Sequence, residues 1–515
     1  MARSSNGSSR SLWLDTCKMP SHPALRSAVQ ADVCVIGGGL AGLSTAYLLS
    51  RAGQRVVLLE AFELAAGESG RTTAHWMPPD DRYFEIERAQ GARAARLVAL
   101  SFQRACDLAE SIAGDEGIAC AFRRLDGYLY ALPGQDPVLL DKELEAARRA
   151  GVEVDRVVRV PGLAFDTGPA LRFARQAQFH PARYLAGLAE AATRRGARIF
   201  CGSRALEVKR EGEGQRVSTE GGWVDAAAVV VATHTPFIDR VVMHTKQAGY
   251  RSYVLGFEVP AGQIPPLLLW DLGDPYYYVR LDGSQALSPR DTLIVGGADH
   301  KVGQAQDPEG CYRQIEQWAR ERFPMAGALR CRWSGQVMEP ADGLAYFGRN
   351  PGDDGQVYII TGDSGTGMTH CTAGAMAVSD LILGVPNEWA ALYDPARKAV
   401  HALGEFVKEQ ANTLAQYKDL LTPGEVDDVG LIPAGQGAVV RSGVKKLAVY
   451  RDEQSRLHVC SAICTHLGGV VRWNPAEKSW DCPCHASRFG VDGEVLHGPA
   501  NRPLHQEQPP RALER

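Results

Sequence analysis

The chain has 515 residues and a formal net charge of −4, from 56 basic and 60 acidic side chains. This near balance gives no reason to expect nucleic acid or an anionic membrane as a partner. A chain of this length predicts about two to four domains. Its longest apolar runs, such as residues 226–232, are too short to span a bilayer.

The N-terminal segment, residues 1–30, is predicted to be a tail that is disordered over Met1 to Arg10. Its serines and arginines surround no apolar core, so it is not a secretory signal. The 12 cysteines are mostly scattered, which is typical of buried thiols in a reducing compartment. We therefore expect a cytoplasmic protein.

A dinucleotide-binding pattern follows the tail. A short apolar run, residues 32–36, precedes a glycine-rich turn and a helical stretch, and a second apolar run ends at Glu60. Gly37 permits the tight turn, Gly39 lets the backbone approach a pyrophosphate, and Gly42 allows close packing of helix on strand. Glu60 is placed to accept hydrogen bonds from ribose hydroxyls. The residues of the turn are Gly37, Gly38, Gly39, Leu40, Ala41 and Gly42.

The glycine motif alone does not distinguish NAD from FAD, but later segments do. The run from Gly67 to His75 resembles the segment under the flavin in the superfamily of D-amino-acid oxidase, glycine oxidase and sarcosine oxidase. Residues 229–234, 332–343 and 358–368 resemble that superfamily's late strand, its return to the flavin and its flavin-capping loop. The resemblance implies bound FAD, with further contacts from Arg71, Thr72, Thr73, His75, Gly362, Gly365, Gly367 and Met368.

His75 raises the question of a covalent flavin. Some sarcosine and dimethylglycine dehydrogenases of this superfamily bond a histidine at the corresponding place to the flavin. The residues around His75 differ from theirs. A noncovalent contact is therefore the expectation, and a covalent link is the alternative.

The resemblance implies a fold for residues 31–385: an α/β flavoprotein with a Rossmann-like FAD-binding domain and an α+β substrate domain of the D-amino-acid oxidase type. We assign residues 31–85, 155–240 and 330–385 to the FAD-binding part. Residues 86–154 and 241–329 form the substrate part.

Substrate-binding candidates come from a tyrosine-rich stretch in the second insert. In related amine oxidases, a tyrosine or arginine on the sheet over the flavin holds the substrate carboxylate. Tyr278 and Arg280 are the candidates here, with a purely structural place on the sheet surface as the alternative. His370 is a candidate catalytic residue near the flavin, or a partner of the backbone. Lys246 could promote reaction with oxygen, or be a solvated lysine.

A helical linker is predicted over residues 386–423. Apolar residues recur at steps of three and four, which indicates an amphipathic helix. The repeat is too short for a coiled coil, so we expect the helix to pack on the flavoprotein. These apolar residues are Val400, Leu403, Val407, Ala411 and Leu414.

The last part of the chain, residues 424–515, carries two paired ligand motifs. Cys464-Thr-His466 is followed, after 15 residues, by Cys482-Pro-Cys-His485. This spacing is typical of a Rieske [2Fe-2S] cluster in an all-β domain. Zinc is the alternative for such a ligand set, but the run that follows resembles the second cluster loop of Rieske domains. We therefore predict Cys464, His466, Cys482 and His485 as the cluster ligands.

Departures from the Rieske pattern bear on the reduction potential. High-potential members have a second cysteine in the first loop, bonded to the counterpart of Cys484, but here that loop ends in Gly469. Ser487 keeps a serine that resembles a donor to the cluster, whereas Phe489 replaces a tyrosine. Fewer hydrogen bonds to the cluster predict the lower part of the Rieske range of about −150 to +300 mV.

The two cofactors together predict an oxidoreductase. FAD would oxidise a small amine or amino acid to an imine, and electrons would pass singly through the cluster to an external redox protein, quinone or oxygen. The alternatives are a reductase driven by NAD(P)H and a noncatalytic electron-transfer protein. A Rieske oxygenase is not expected, because the 30 residues after His485 leave no room for its mononuclear iron site.

Overall fold

The computed structural model describes residues 7–79, 82–132, 135, 137–238, 243–284, 288–305, 307–353, 355–398 and 403–509. Residues 1–6 of the predicted disordered segment lie outside this description. From residue 7 onward the tail prediction is wrong, because Trp13 is fully buried beside Trp333 in a small apolar core. Ser9 also bonds to Glu477 of the C-terminal domain.

The helices are α1 (Leu12–Thr16), α2 (Leu40–Arg51), α3 (Tyr83–Gln90), α4 (Ala92–Asp115), α5 (Val138–Arg149), α6 (Pro181–Arg194), α7 (Pro308–Arg322), α8 (Gly367–Leu383) and α9 (Leu403–Gln416). The strands before α9 are β1 (Val29–Ile36), β2 (Val56–Leu59), β3 (His75–Trp76), β4 (Arg123–Tyr130), β5 (Val154–Val157), β6 (Ala170–Gln178), β7 (Arg198–Phe200), β8 (Glu207–Glu211), β9 (Gly214–Ser218), β10 (Trp223–Val231), β11 (Gln247–Pro260), β12 (Leu268–Asp271), β13 (Tyr277–Leu281), β14 (Arg290–Lys301), β15 (Leu329–Pro340), β16 (Tyr346–Arg349) and β17 (Val357–Thr361). Within the described residues, no helix combines the length and apolarity needed to cross a membrane.

An eight-stranded sheet carries the nucleotide-binding turn. Its order is β16-β17-β10-β1-β2-β7, with β9 and β8 beside β10. Strand β1 pairs in parallel with both β2 and β10, and helices α2 and α8 pack on the sheet. The strands read as continuous apolar runs because parallel sheets are covered on both faces. The predicted Rossmann-like part is confirmed.

A nine-stranded sheet forms the second layer, in the order β15-β11-β14-β13-β12-β4-β6-β3 with β5 beside β6. It includes β6 and β15, which the predicted boundaries had placed in the FAD-binding part. Their place in this sheet follows from pairing with distant strands: β6 pairs with β4, and β15 with β11.

The C-terminal domain is all-β, as predicted. Its strands are β18 (Gln436–Ser442), β19 (Lys445–Arg451), β20 (Leu457–Ser461), β21 (Arg472–Asn474), β22 (Ser479–Asp481), β23 (Arg488–Phe489) and β24 (Val495–His497). Strands β18 to β20 form one antiparallel sheet and β21 to β24 another. Trp480 and Phe489 are fully buried in the core between them, beside Cys464 and Cys482.

The linker helix α9 contacts the flavoprotein, as predicted, but its described apolar residues do not make the contact. Val407 is 57% exposed and Leu414 is 69% exposed, while Val400 lies outside the described residues. Polar contacts hold the helix instead: Gln410 donates to the Thr245 carbonyl over 3.0 Å. An ion pair joins Glu409 to Lys301 of β14 at 2.7 Å. The side facing the domains is thus the polar side.

Candidate active site and cluster site

The nucleotide-binding turn is packed too closely for any residue but glycine at its key positions. Gly37 has a φ of +116°, and a Cβ there would lie 2.4 Å from the Ala232 carbonyl oxygen. At Gly42 a Cβ would lie 1.9 Å from the Gly37 oxygen. The turn therefore brings the start of α2 close to strand β1, the geometry that suits a pyrophosphate at a helix N-terminus.

Glu60 stands at the end of β2, against the same turn. Its carboxylate accepts from the backbone N–H of Gly38 over 2.7 Å and of Phe62 over 2.8 Å. Burial raises the pKa of this carboxyl above its usual value. The side chain lines the cavity beside the turn, where a ribose would lie in a bound dinucleotide.

One cavity brings the predicted FAD-binding residues together. It runs from the turn along the segment after β2 to the start of α8. Gly42 is not part of its lining and acts through packing. The predicted residues that line it are Gly37, Gly39, Leu40, Ala41, Glu60, Arg71, Thr72, Thr73, His75, Gly362, Gly365, Gly367 and Met368. A glycine-walled cleft with this lining fits FAD.

His75 lies on the cavity wall with both ring nitrogens in contact with protein. Nδ1 is 3.0 Å from the Thr73 hydroxyl, and Nε2 is 3.3 Å from the Val279 carbonyl. Burial, with the nearby Arg280, lowers the pKa of His75 to about 3. The ring is therefore neutral at pH 7 and already engaged, which favours the noncovalent expectation.

Tyr278 faces the cavity from β13. Its hydroxyl is 2.7 Å from that of Ser252, and its ring meets His75 edge-on at 5.5 Å. A Cβ at Gly296, on the neighbouring strand, would lie 2.2 Å from the Tyr278 ring. Gly296 thus makes room for the tyrosine, and the two hydroxyls meet on the cavity wall.

Arg280 does not fit its predicted role as a carboxylate anchor. It is 1% exposed and does not line the cavity. Its guanidinium donates to backbone carbonyls of Thr73, Ala74 and Phe179, and others on its own strand. The prediction is wrong because these carbonyls occupy the donors that a carboxylate would need. Arg280 fixes the chain around His75 instead.

His370 and Lys246 take different places. His370 lines the cavity, but its Nδ1 lies 2.9 Å from the Asp363 carbonyl and its ring packs on Phe102. Burial lowers its pKa to about 4. The ammonium of Lys246 donates to the Pro395 carbonyl over 2.7 Å, and Lys246 is not part of the cavity lining.

The four predicted cluster ligands lie on two loops that face each other. The His466 and His485 rings stand at 89°, with centroids 5.0 Å apart. Cys464 and Cys482 are buried, and their thiols are within hydrogen-bond reach of each other. Two thiols and two imidazoles fit a Rieske cluster, which takes two protein ligands for each iron. Within the described residues, no three His, Cys, Asp or Glu side chains form a single-ion site.

The departures of the two ligand loops from the Rieske pattern can be seen in the structure. A Cβ at Gly469 would lie 2.6 Å from the Cys484 sulfur, so the missing cysteine would have faced it directly. The Ser487 hydroxyl contacts the Cys464 thiol and accepts from the Ala500 N–H over 3.0 Å. Phe489 is fully buried and brings no hydroxyl.

Two further histidines lie where the two domains meet, and neither was predicted from the sequence. His244, just before β11, meets the His466 ring edge-on at 4.7 Å and the His485 ring at 6.1 Å. His497, at the end of β24, lines the FAD cavity. Neither belongs to a motif, because each acts through a contact between segments far apart in sequence.

Comparison with known proteins agrees with this geometry. The family of FAD dependent oxidoreductases, named DAO, matches residues 32–381. The chain belongs to this family. The Rieske [2Fe-2S] domain matches residues 423–508. The predicted cofactors, FAD and a Rieske cluster, are confirmed, and the protein is an FAD-dependent oxidoreductase with a Rieske domain.

Relatives of this family share one or both parts. The Rieske 2Fe-2S iron-sulfur protein YhfW of Bacillus subtilis is 30% identical over 96% of both chains. Gamma-glutamylputrescine oxidoreductase of Escherichia coli is 26% identical over 70% of this chain and 85% of its own. Glycine oxidase from Geobacillus kaustophilus superposes with a TM-score of 0.62 at 18% identity, over 72% of this chain and 99% of its own. The last match shows the fold alone.

Proposed function

We propose that this protein oxidises a C–N bond of a small amine or amino acid to an imine, and passes the electrons singly through its Rieske cluster to an external acceptor. The main support for this proposal is one cavity to which three parts of the protein contribute. The nucleotide-binding turn forms one part of its wall, the hydroxyls of Tyr278 and Ser252 lie on a second part, and His497 of the Rieske domain lies on a third.

The chemistry fits the two cofactors. FAD takes two electrons as a hydride from a carbon next to nitrogen, whereas a Rieske cluster carries one electron at a time. Oxidation removes two electrons and two protons from the amine, and water then hydrolyses the imine to a carbonyl compound and a free amine or ammonia.

The chain's own residues have defined tasks in this proposal. Tyr278 and Ser252 orient the substrate through their paired hydroxyls. His75 stays neutral because burial lowers its pKa to about 3, so it adds no positive charge that would repel a protonated amine. Arg280 positions His75 by bonding the carbonyls of Thr73 and Ala74.

The substrate class rests on the relatives and on the wall of the cavity. The Escherichia coli relative is named for gamma-glutamylputrescine, an amine, which supports an amine substrate here. Arg280 is buried in the sheet and is not available to anchor a substrate carboxylate. The proposal therefore covers amines as well as amino acids.

Short connections between cluster and cavity support an internal electron path. Ser487, two residues after His485, bonds to Ala500, which lines the cavity. Leu467, in the first ligand loop, is 37% exposed. Electrons would leave toward a redox protein, a quinone or oxygen from that exposed loop.

Low-temperature EPR after anaerobic mixing tests the proposal. The purified protein is mixed separately with a pool of secondary amines and amino acids, with NADH and with NADPH. A reduced-cluster signal and a bleached flavin only with the amine pool are expected. The same signal only with a nicotinamide would overturn the proposal and make the protein a reductase. No signal with any of them, in protein whose cluster dithionite reduces, would point to an electron-transfer role.

A further inference from the structure

The Rieske domain supplies part of the wall of the FAD cavity. The wall includes the end of β24 and the turn that follows it. These residues lie beside Phe62 and Arg204, which line the same cavity next to the nucleotide-binding turn. The contributed residues are Leu496, His497, Gly498, Ala500 and Asn501.

His497 is the centre of this contact. It touches three segments that line the cavity: its Nε2 is 3.8 Å from Glu68, its Nδ1 is 3.4 Å from the Gln336 side chain, and its ring lies 5.0 Å from that of His234. It is 7% exposed, and burial lowers its pKa to about 3. The neutral His497 ring therefore lies where three segments of the cavity wall meet.

Two hydrogen bonds hold the end of β24 and the turn after it against the flavoprotein. Arg204 donates to the Val495 carbonyl over 3.0 Å, and Asn501 donates to the Leu206 carbonyl over 3.0 Å. Between Arg204 and Leu206 lies Ala205, itself part of the cavity lining. Docking of the Rieske domain thus fixes backbone that belongs to the FAD site.

We propose that the Rieske domain completes the FAD-binding site, so that FAD binding and docking of the Rieske domain stabilise each other. A ligand that binds the docked form better than the undocked form favours docking. By linkage, docking then raises the affinity for the ligand by the same factor. This inference goes beyond the proposed reaction and does not depend on the substrate.

Reconstitution with FAD tests the first half of this linkage. FAD is removed from the full-length protein, and its dissociation constant is measured by fluorescence on adding it back. His497→Ala is expected to weaken FAD binding at least tenfold, with the cluster's visible absorption unchanged. His458→Ala is the matched control, because His458 is a histidine of the same domain that pairs with Asp492 at the surface. An FAD dissociation constant within twofold of the unmodified protein for His497→Ala would overturn the proposal.

Hydrogen exchange of the unmodified protein tests the reciprocal half and needs no variant to fold. Backbone amides of residues 495–504 are followed with FAD bound and after its removal, in samples with equal cluster content. At least tenfold faster exchange without FAD is expected, with residues 445–451 of β19 as the internal reference. Equal exchange of residues 495–504 in the two samples would overturn the linkage, whatever the behaviour of His497→Ala.

Discussion

The ring of His244 packs edge-on against the ring of His466, with centroids 4.7 Å apart. His466 is a predicted cluster ligand in the Rieske domain, whereas His244 belongs to the flavoprotein and is buried. The second ligand imidazole, His485, lies 6.1 Å from the same ring. The flavoprotein therefore supplies a side chain that packs near both predicted histidine ligands. Residues next to metal ligands orient them and tune the metal.

Replacement of His244 by leucine should affect the cluster and spare the flavin. Loss of such an outer contact typically costs about 10- to 100-fold in metal affinity or activity. We expect substrate-driven cluster reduction to slow by about that factor and the EPR g values to shift, while flavin bleaching keeps its rate. His300→Leu is the control, because the His300 ring packs on Tyr253. Unchanged EPR and cluster reduction in His244→Leu would contradict the prediction.

Glu477 holds the Rieske domain to the flavoprotein through buried charges. Its carboxylate is fully buried, 3.8 Å from the Arg71 guanidinium, and accepts from Ser9 and Ser334. Burial raises its pKa, but Arg71 and Arg251 outweigh that effect, so the pKa lies below its usual value. The group is thus ionised at neutral pH.

Glu477→Gln should destabilise the protein, because it leaves buried guanidinium charge without compensation. Removing one partner of a buried pair costs about 3–5 kcal/mol. We expect a loss of that size in urea unfolding followed by the cluster's absorbance. Glu316→Gln breaks a pair with Arg320 that is about 40% exposed, and should cost less than about 1 kcal/mol. Equal losses in the two variants would show that the buried network does not hold the domain.

Tyr278→Phe should slow flavin reduction without loss of FAD. The variant keeps the ring that packs on His75 and removes the hydroxyl that meets Ser252 at 2.7 Å. One hydrogen bond is worth about 1 kcal/mol, equivalent to about a fivefold change in rate. Stopped-flow bleaching of the flavin with a substrate amine measures the effect. A larger loss with Ser252→Ala than with Tyr278→Phe would assign the orienting role to Ser252 instead.

Local motifs were sufficient to predict the two cofactors, FAD and a Rieske cluster. The glycine turn and the four cluster ligands each depend on short-range geometry: a strand, a turn and a helix start in one case, two ligand loops in the other. Gly37 and Gly42 show why, since neighbouring backbone leaves no space for a side chain at either position. Such constraints are written in consecutive residues and can be found without knowing the rest of the fold.

Contacts between segments far apart in the chain could not be predicted from the sequence. Arg280 looked like a substrate anchor, but it bonds carbonyls of Thr73 and Ala74, some 200 residues earlier. The predicted N-terminal tail is instead a packed segment, because Trp13 is buried in an apolar cluster beside Trp333. His244 and His497 acquire their places only when the two domains dock. A residue's neighbours in space, rather than its neighbours in sequence, decide these roles.

Two residues near the cluster should move its potential in opposite directions. Ser487→Ala removes a hydroxyl in contact with Cys464, and the midpoint should fall. Phe489→Tyr adds a hydroxyl at a buried position, and the midpoint should rise, because hydrogen bonds to the cluster stabilise its reduced form. Redox titration followed by circular dichroism measures both. For the unmodified protein, a midpoint above about +150 mV would contradict the expectation of a low Rieske potential.

Gly469→Cys should restore the missing disulfide of the ligand loops. A Cβ at residue 469 would lie 3.4 Å from the Cys484 Cβ and 2.6 Å from its sulfur. Disulfides join Cβ atoms about 3.5–4.5 Å apart, so a small shift of the loop suffices. We expect the variant to form the bond under air, to show two fewer thiols than its reduced form after denaturation, and to have a higher midpoint once oxidised. Gly469→Ser is the control for steric effects, since it adds a side chain of similar size that cannot form the bond. An unchanged thiol count in the oxidised variant would mean that the two loops are held apart when the cluster is bound.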